Sequence, residues 1–209
     1  METTDIQVNQ QTISRSLQQW RTERAAHLDD LEHALIAIDE GTHASPGASV
    51  QVGFAYALLL SAQFQGFCRD LHTEVVLHAV QLARSKHGPL ADLLHARLVE
   101  GRKLDQGNPN PGNIGSDFGR FSISFWNLVE ARDARCPAAR GALEDVANWR
   151  NAIAHNDFTS PRLRGQNSLS LARIRAWRAD CNLLAVAFDA VVHDVLLAWW
   201  SPIAWDWRS

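Results

Sequence analysis

The sequence predicts an all-α protein: an up-and-down bundle of four to five main helices with one irregular connection rich in Pro, Asn and Gly. Three observations carry that expectation. Apolar residues recur at steps of three and four along most of the chain. Alternating runs of the kind that make half-buried strands are almost missing. The one stretch that alternates, Gln166 to Leu171, is short and reads equally well as a helix start at Ser168. Gly and Pro cluster at a few places and punctuate long uninterrupted segments.

Taken in order, Ile13, Leu17, Trp20, Leu28, Leu31, Leu35 and Ile38 form an apolar stripe that predicts a first helix over about 6–39, ended by Gly41. The segment Thr42 to Gly47 reads as a turn. A second helix over about 48–85 carries Leu60, Phe64, Phe67, Leu71, Val75, His78 and Leu82, and Gly88-Pro89 closes it. A short helix over about 89–99 holds Leu90, Leu93, Leu94 and Leu98. From Gly101 to Gly119, prolines, asparagines and glycines predict an irregular connection with no regular helix, in which Ile114 and Phe118 pack as a single turn at most. Phe121 to Val129 fits either a short helix or an extended segment. Pro137 suits the first turn of a helix over about 137–155, with Leu143, Val146, Trp149 or Arg150, and Ile153 facing in. A last, strongly apolar helix runs over about 168–200. The tail, 197–209, holds four of the eight tryptophans. It fits either a flap folded back on the bundle or an apolar contact with a partner chain. Neither a repeat nor a linker divides the chain, so one domain over 1–209 is expected, its core over about 48–196.

Composition narrows the function. Of 209 residues 46% are apolar and 21% charged, which suits a globule with a full core. The net charge of −3 argues against a non-specific nucleic-acid coat protein, though not against a local basic cleft. Cys68, Cys136 and Cys181 are far apart and form no CxxC pair, so neither a zinc ribbon nor a disulfide framework is indicated and a reducing cytoplasm is expected. The polar N-terminus is unlike a signal peptide. Ala44 to Cys68 has no formal charge and the length of a membrane span, but Ser49, Gln51, Ser61, Gln63 and Gln65 favour a core helix.

One stretch carries chemistry. Arg150-Asn151-Ala152-Ile153-Ala154-His155 places a permanent cation and a titratable imidazole five positions apart on one helix. Arginine forks hydrogen bonds onto a phosphate, and histidine gives and takes protons near neutrality. The plainer reading is a surface ion pair of Arg150 with Glu144 or Asp145, and a histidine sitting on the helix dipole. Asn151 and His155 share a face, whereas Arg150 lies about 140° from His155 at ~3.6 residues per turn. The pair therefore lines one cleft only if the helix ends near His155 or a second copy faces it. Asn156, Asp157 and Pro161 predict such an ending.

Arg150-Asn151 followed by His155 resembles the signature of the HEPN superfamily, an Arg and a His separated by four to six residues, often with a polar residue after the Arg. Leu58 to Leu71, and Asn108 to Ile114 with Phe118 to Phe121, resemble members found in prokaryotic defence and toxin–antitoxin systems. The resemblance spans about 48–160. It implies a homodimer in which two such helices frame a cleft, and a ribonuclease that needs no metal and no cofactor. His155 would act as general base or acid, Arg150 would stabilise the charge on the phosphoryl oxygens, and Asn151 would hold the imidazole or a phosphate oxygen. RNA is the implied substrate, with an antitoxin or defence-system protein as partner and no membrane. Some toxin members carry a tyrosine two residues after the His that a partner enzyme modifies. Here that position is Asp157 and the one tyrosine is Tyr56, so silencing by that route is not expected.

From Phe158 to Ala179 there are five arginines and no acid, which predicts a basic rim beside the motif. Arg162 and Arg164, together with Trp149, Asp157 and Phe158 flanking the motif, are the candidate RNA-contacting residues, with Trp149 and Phe158 as faces for base stacking; Trp149 fits the core as well. Glu74 and His78 have metal-ligand spacing but no third ligand, and Asp189, His193 and Asp194 read as a side-chain pair, so no metal site is expected.

Overall fold

The structure is a computed structural model and describes residues 13–41, 47–86 and 88–200. Residues 201–209, most of the predicted turn (42–46) and the first part of the predicted N-terminal helix lie outside that range. Among the described residues every regular element is helical.

Ser14 starts the first helix. Its backbone is extended and its hydroxyl accepts from the Leu17 N–H at 3.0 Å, so α-helical backbone begins at Arg15 among the described residues. It runs as α1 (Arg15–Gln19), a π-helical turn (Trp20–Arg24) and α2 (Ala25–Glu40) without a break in helical backbone. Its buried stripe is Leu17, Trp20, Leu28 and Leu35. Two carboxylates anchor its start: Asp189 accepts from the Ser14 N–H at 3.1 Å, and Glu74 from the Ser16 N–H and hydroxyl at 2.8 and 2.6 Å. Arg24 closes the π turn and reaches across Gly66 to Gln63 and Asp70.

The central element is α3 (Ala48–Lys86), against which α2, α4 (Gly88–Val99), α8 (Cys136–His155) and α9 (Leu171–Trp200) all pack. Its uncharged first half is core: Tyr56, Leu60, Phe64, Phe67 and Cys68 are fully buried. Of the described helices, α9 is long and apolar enough to cross a membrane, with 56% of its most apolar window buried inside this fold. It begins at Leu171, and residues 166–170 form no strand.

The irregular connection departs from expectation. It contains α5 (Lys103–Gln106) and α6 (Pro111–Phe118), then a 3-10 turn (Gly119–Phe121) and α7 (Phe125–Glu130). Asn110 caps α6, accepting from the Asn113 N–H at 2.8 Å, and Pro111 occupies its first turn. The same Asn and Pro that break a helix interior are here start signals. Gly115 is needed where α6 meets α7, since a Cβ there would stand 2.9 Å from the Trp126 ring. Phe118 stacks on Phe125 at 4.3 Å, Phe125 meets Phe188 at 4.9 Å, and Phe188 meets Phe64 at 6.0 Å. This aromatic chain ties α6 and α7 to α9 and α3 through the centre of the molecule.

Candidate functional site

Helix α8 buries Leu143, Val146, Ala147, Trp149 and Ala152, which leaves Arg150 half-exposed and Asn151 exposed beside them. Trp149 is 1% exposed and packs against Phe54, Phe158 and Trp177, with the Arg173 guanidinium over its ring. It is a core residue and presents no face on which a base can stack, which corrects its inclusion among RNA-contacting residues. Phe158 is likewise engaged, stacked on Phe54 at 5.2 Å.

The connection between α5 and α6 comes up against this face of α8. Asn108 Nδ2 donates to Asn151 Oδ1 at 3.1 Å, and Arg150 Nη1 donates to the same oxygen at 3.2 Å. Asn110 Nδ2 donates to Asn108 Oδ1, and Asn113 Nδ2 to the Asn108 carbonyl, both at 2.8 Å. From α3, Gln65 Nε2 donates to the carbonyls of Leu104 and Gly107 at 2.6 and 2.7 Å. Gln65, Asp105, Gln106, Gly107, Asn108, Asn113, Arg150 and Asn151 line a polar groove of about 420 Å³. Arg150 has no carboxylate within ion-pair distance among the described residues: of its two expected partners, Asp145 faces Arg173 at 3.6 Å and Glu144 forms no ion pair with it.

A buried polar cluster supports the loop from below. Asp117, fully buried, accepts from the N–H groups of Lys103 and Leu104 at 2.8 Å each and so caps α5. Arg102 holds Asp105 with two hydrogen bonds, at 3.0 and 2.9 Å, and donates to the Thr73 hydroxyl at 2.9 Å. The Arg102 hydrogen bond keeps the Asp105 carboxyl below its usual range. His72, also fully buried, donates from Nε2 to the Asp117 carbonyl at 3.2 Å and accepts from Arg102 on Nδ1 at 3.4 Å. Burial, and then the Arg102 charge, lower its pKa to about 3.

That shift has a pH consequence with a definite sign. Folded His72 stays neutral down to about pH 3, while in the unfolded chain it takes a proton near pH 6.5. Its contribution is complete above about pH 6.5 and is lost as pH falls from there toward 3, by up to about 1.4 kcal/mol per pH unit. Burial raises Glu74 and Asp189, which works in the opposite direction at acid pH. Between pH 7 and pH 5, His72→Gln is expected to lose less stability to urea unfolding than the parent does. Equal losses would refute the assignment.

His155 lies at the end of α8, exposed and without a hydrogen bond among the described residues. Asn156 ends the helix in the left-handed region at φ 50°, with the Asp157 N–H donating to the Ala152 carbonyl at 2.9 Å. The expected helix end is thus present. Asp157 is held in a turn by the Thr159 hydroxyl and N–H at 2.6 and 3.0 Å, bonds that lower its carboxyl below the usual range. His155 is not part of the groove wall; on an α-helix it stands about 6 Å along the axis from Asn151.

The basic rim is smaller than the local charge count suggests. Arg173 faces Asp145, Arg175 bonds Glu32 at 2.7 Å, and Arg178 bonds Asp29 at 2.7 Å. Arg162, which donates to Asn148, and Arg164 are exposed and have no carboxylate partner among the described residues. Gln65, Asn108 and Asn113 also line the groove, and their uncharged, non-titrating side chains do not mark them as functional in the sequence. The signal for them was the pair of family-like stretches in which they lie. Among the described residues no group of three or more His, Cys, Asp or Glu is placed to hold a metal ion. No protein-family model, curated protein or solved structure matches the chain.

Proposed function

We propose that this protein is a metal-independent endoribonuclease of the HEPN kind, acting as a cytoplasmic homodimer in a toxin–antitoxin or phage-defence setting. One observation carries the reading: Arg150, a cation with no carboxylate partner among the described residues, shares a polar groove with Asn151, one helical turn from an exposed His155. An arginine kept free of carboxylates is available to a phosphate.

In the reaction the RNA 2′-oxygen attacks its own phosphorus and the bond to the 5′-oxygen breaks. His155 takes the 2′-hydroxyl proton as general base or gives a proton to the leaving 5′-oxygen as general acid, and water serves the other transfer. Arg150 meets the charge that builds on the non-bridging oxygens. The products are a 2′,3′-cyclic phosphate and a 5′-hydroxyl. A second reading, a non-catalytic module that holds RNA, nucleotide or a partner protein, is favoured by the position of His155 outside the groove wall.

Incubation of the protein with RNA in EDTA separates the two. Cleavage that persists in the chelator and leaves cyclic phosphate ends is expected. Cleavage that requires a divalent ion, or RNA bound and left intact, would overturn the proposal.

A further inference from the structure

The groove holds polar capacity that the fold does not spend. Gln65 uses both amide hydrogens inward, which leaves Oε1 as an acceptor. Asn113 gives a hydrogen to the Asn108 carbonyl, and its Oδ1 accepts nothing among the described residues. Asn151 is oriented the other way: its oxygen takes hydrogen bonds from Asn108 and Arg150, so Nδ2 is left to donate. These bonds fix which end of each carboxamide faces the groove. Neither free oxygen is buried, and Asn151 is exposed, so all three groups are accessible.

The lining therefore presents two acceptors together with a cation and an amide donor. Its residues include no aromatic ring, so a base is read by its edge rather than by stacking. Asp105 also lines the groove, with both its oxygens engaged by Arg102, and its negative charge steers an anion toward Arg150.

We propose that the groove takes the nucleotide next to the bond that is cut, and selects a base with an exocyclic amine (adenine, cytosine or guanine) over uracil; this rests on the ribonuclease reading above. The phosphate lies on Arg150 and Asn151 Nδ2. The amine donates to Gln65 Oε1 and Asn113 Oδ1. Uracil carries carbonyls on either side of a single N–H, so it pairs one of those oxygens at most and sets a carbonyl against the other.

The test uses full-length His155→Ala protein and isothermal titration with the four nucleoside 3′-monophosphates. The three amine-bearing nucleotides are expected to bind about 2- to 10-fold tighter than 3′-UMP. Arg150→Ala weakens all four alike. Asn113→Ala, which removes one of the two acceptors, reduces the preference. Equal affinities for all four, or a preference untouched by Asn113→Ala, would overturn the inference. Selective binding by a chain whose parent leaves RNA intact refutes the ribonuclease reading and leaves the base selection standing. Metal-free cleavage with no base preference does the reverse.

Discussion

His155→Ala is expected to cut RNA roughly 10²–10⁴-fold more slowly than the parent protein. Its melting temperature is expected to stay within about 2 °C, because an exposed side chain without a hydrogen bond changes stability by about 0.5 kcal/mol or less. Activity and stability are therefore separable at this position. Arg150→Ala is expected to lose about 10²–10³-fold. The angle between the two side chains adds a sharper test. Arg150 and His155 diverge by about 140° around α8, so a working pair drawn from two protomers fits better than a pair within one. Co-refolding the two inactive variants places an intact Arg150 on one protomer opposite an intact His155 on the other. Activity is expected to reappear in the mixture. A mixture as inactive as its components would show that each protomer works with its own pair.

Asp117→Ala is expected to be the most destabilising single change near the groove, by about 3–5 kcal/mol, a fall of roughly 6–20 °C in melting temperature. The carboxylate is fully buried, and its loss strands the N–H groups of Lys103 and Leu104 at the start of α5. Arg120, 3.7 Å away, loses a counter-charge while still capping the end of α4 through the carbonyls of Glu100 and Gly101. Asp117→Asn keeps the shape but turns an amide donor toward one of the two N–H groups, so it is expected to recover less than half of the loss. Thermal melts of the three proteins decide this, and a melting temperature unchanged in Asp117→Ala would refute it. Because α5 leads directly into Gly107 and Asn108, activity measured well below the melting point should fall as well.

The long helices were legible because a 3.6-residue apolar period sustained over several turns has few other solutions, and α3 and α8 lie within a residue or two of where that period places them. The failure at 101–119 has a local cause. Asn110-Pro111 reads as a break when taken as helix interior and as a cap when taken as helix start, and only the packing of Ile114 and Phe118 into the core decides between them. The arginine rim failed for the opposite reason. The acids that neutralise Arg175 and Arg178 sit on α2, more than a hundred residues away in the chain, so a window of sequence holds the cations and none of their partners. Arg150 stands apart because its nearest acid in sequence, Asp145, is turned to Arg173. Gln65 carried no signal of its own: a glutamine in an apolar helix reads as a satisfied core amide, which on its inward side it is.

The groove is stitched from three stretches of chain that meet only at the end. Gln65 reaches 39 and 42 residues forward to Leu104 and Gly107, and Asn108 reaches 43 residues forward to Asn151. Contacts of that separation close late, since the chain between them must be ordered before they form. A growing polypeptide thus has no groove until α8 has been synthesised and docked, and a partly unfolded one loses it as soon as α8 lifts. A protein that cuts RNA and is itself translated from RNA would, on this arrangement, be harmless to its own message for most of its synthesis.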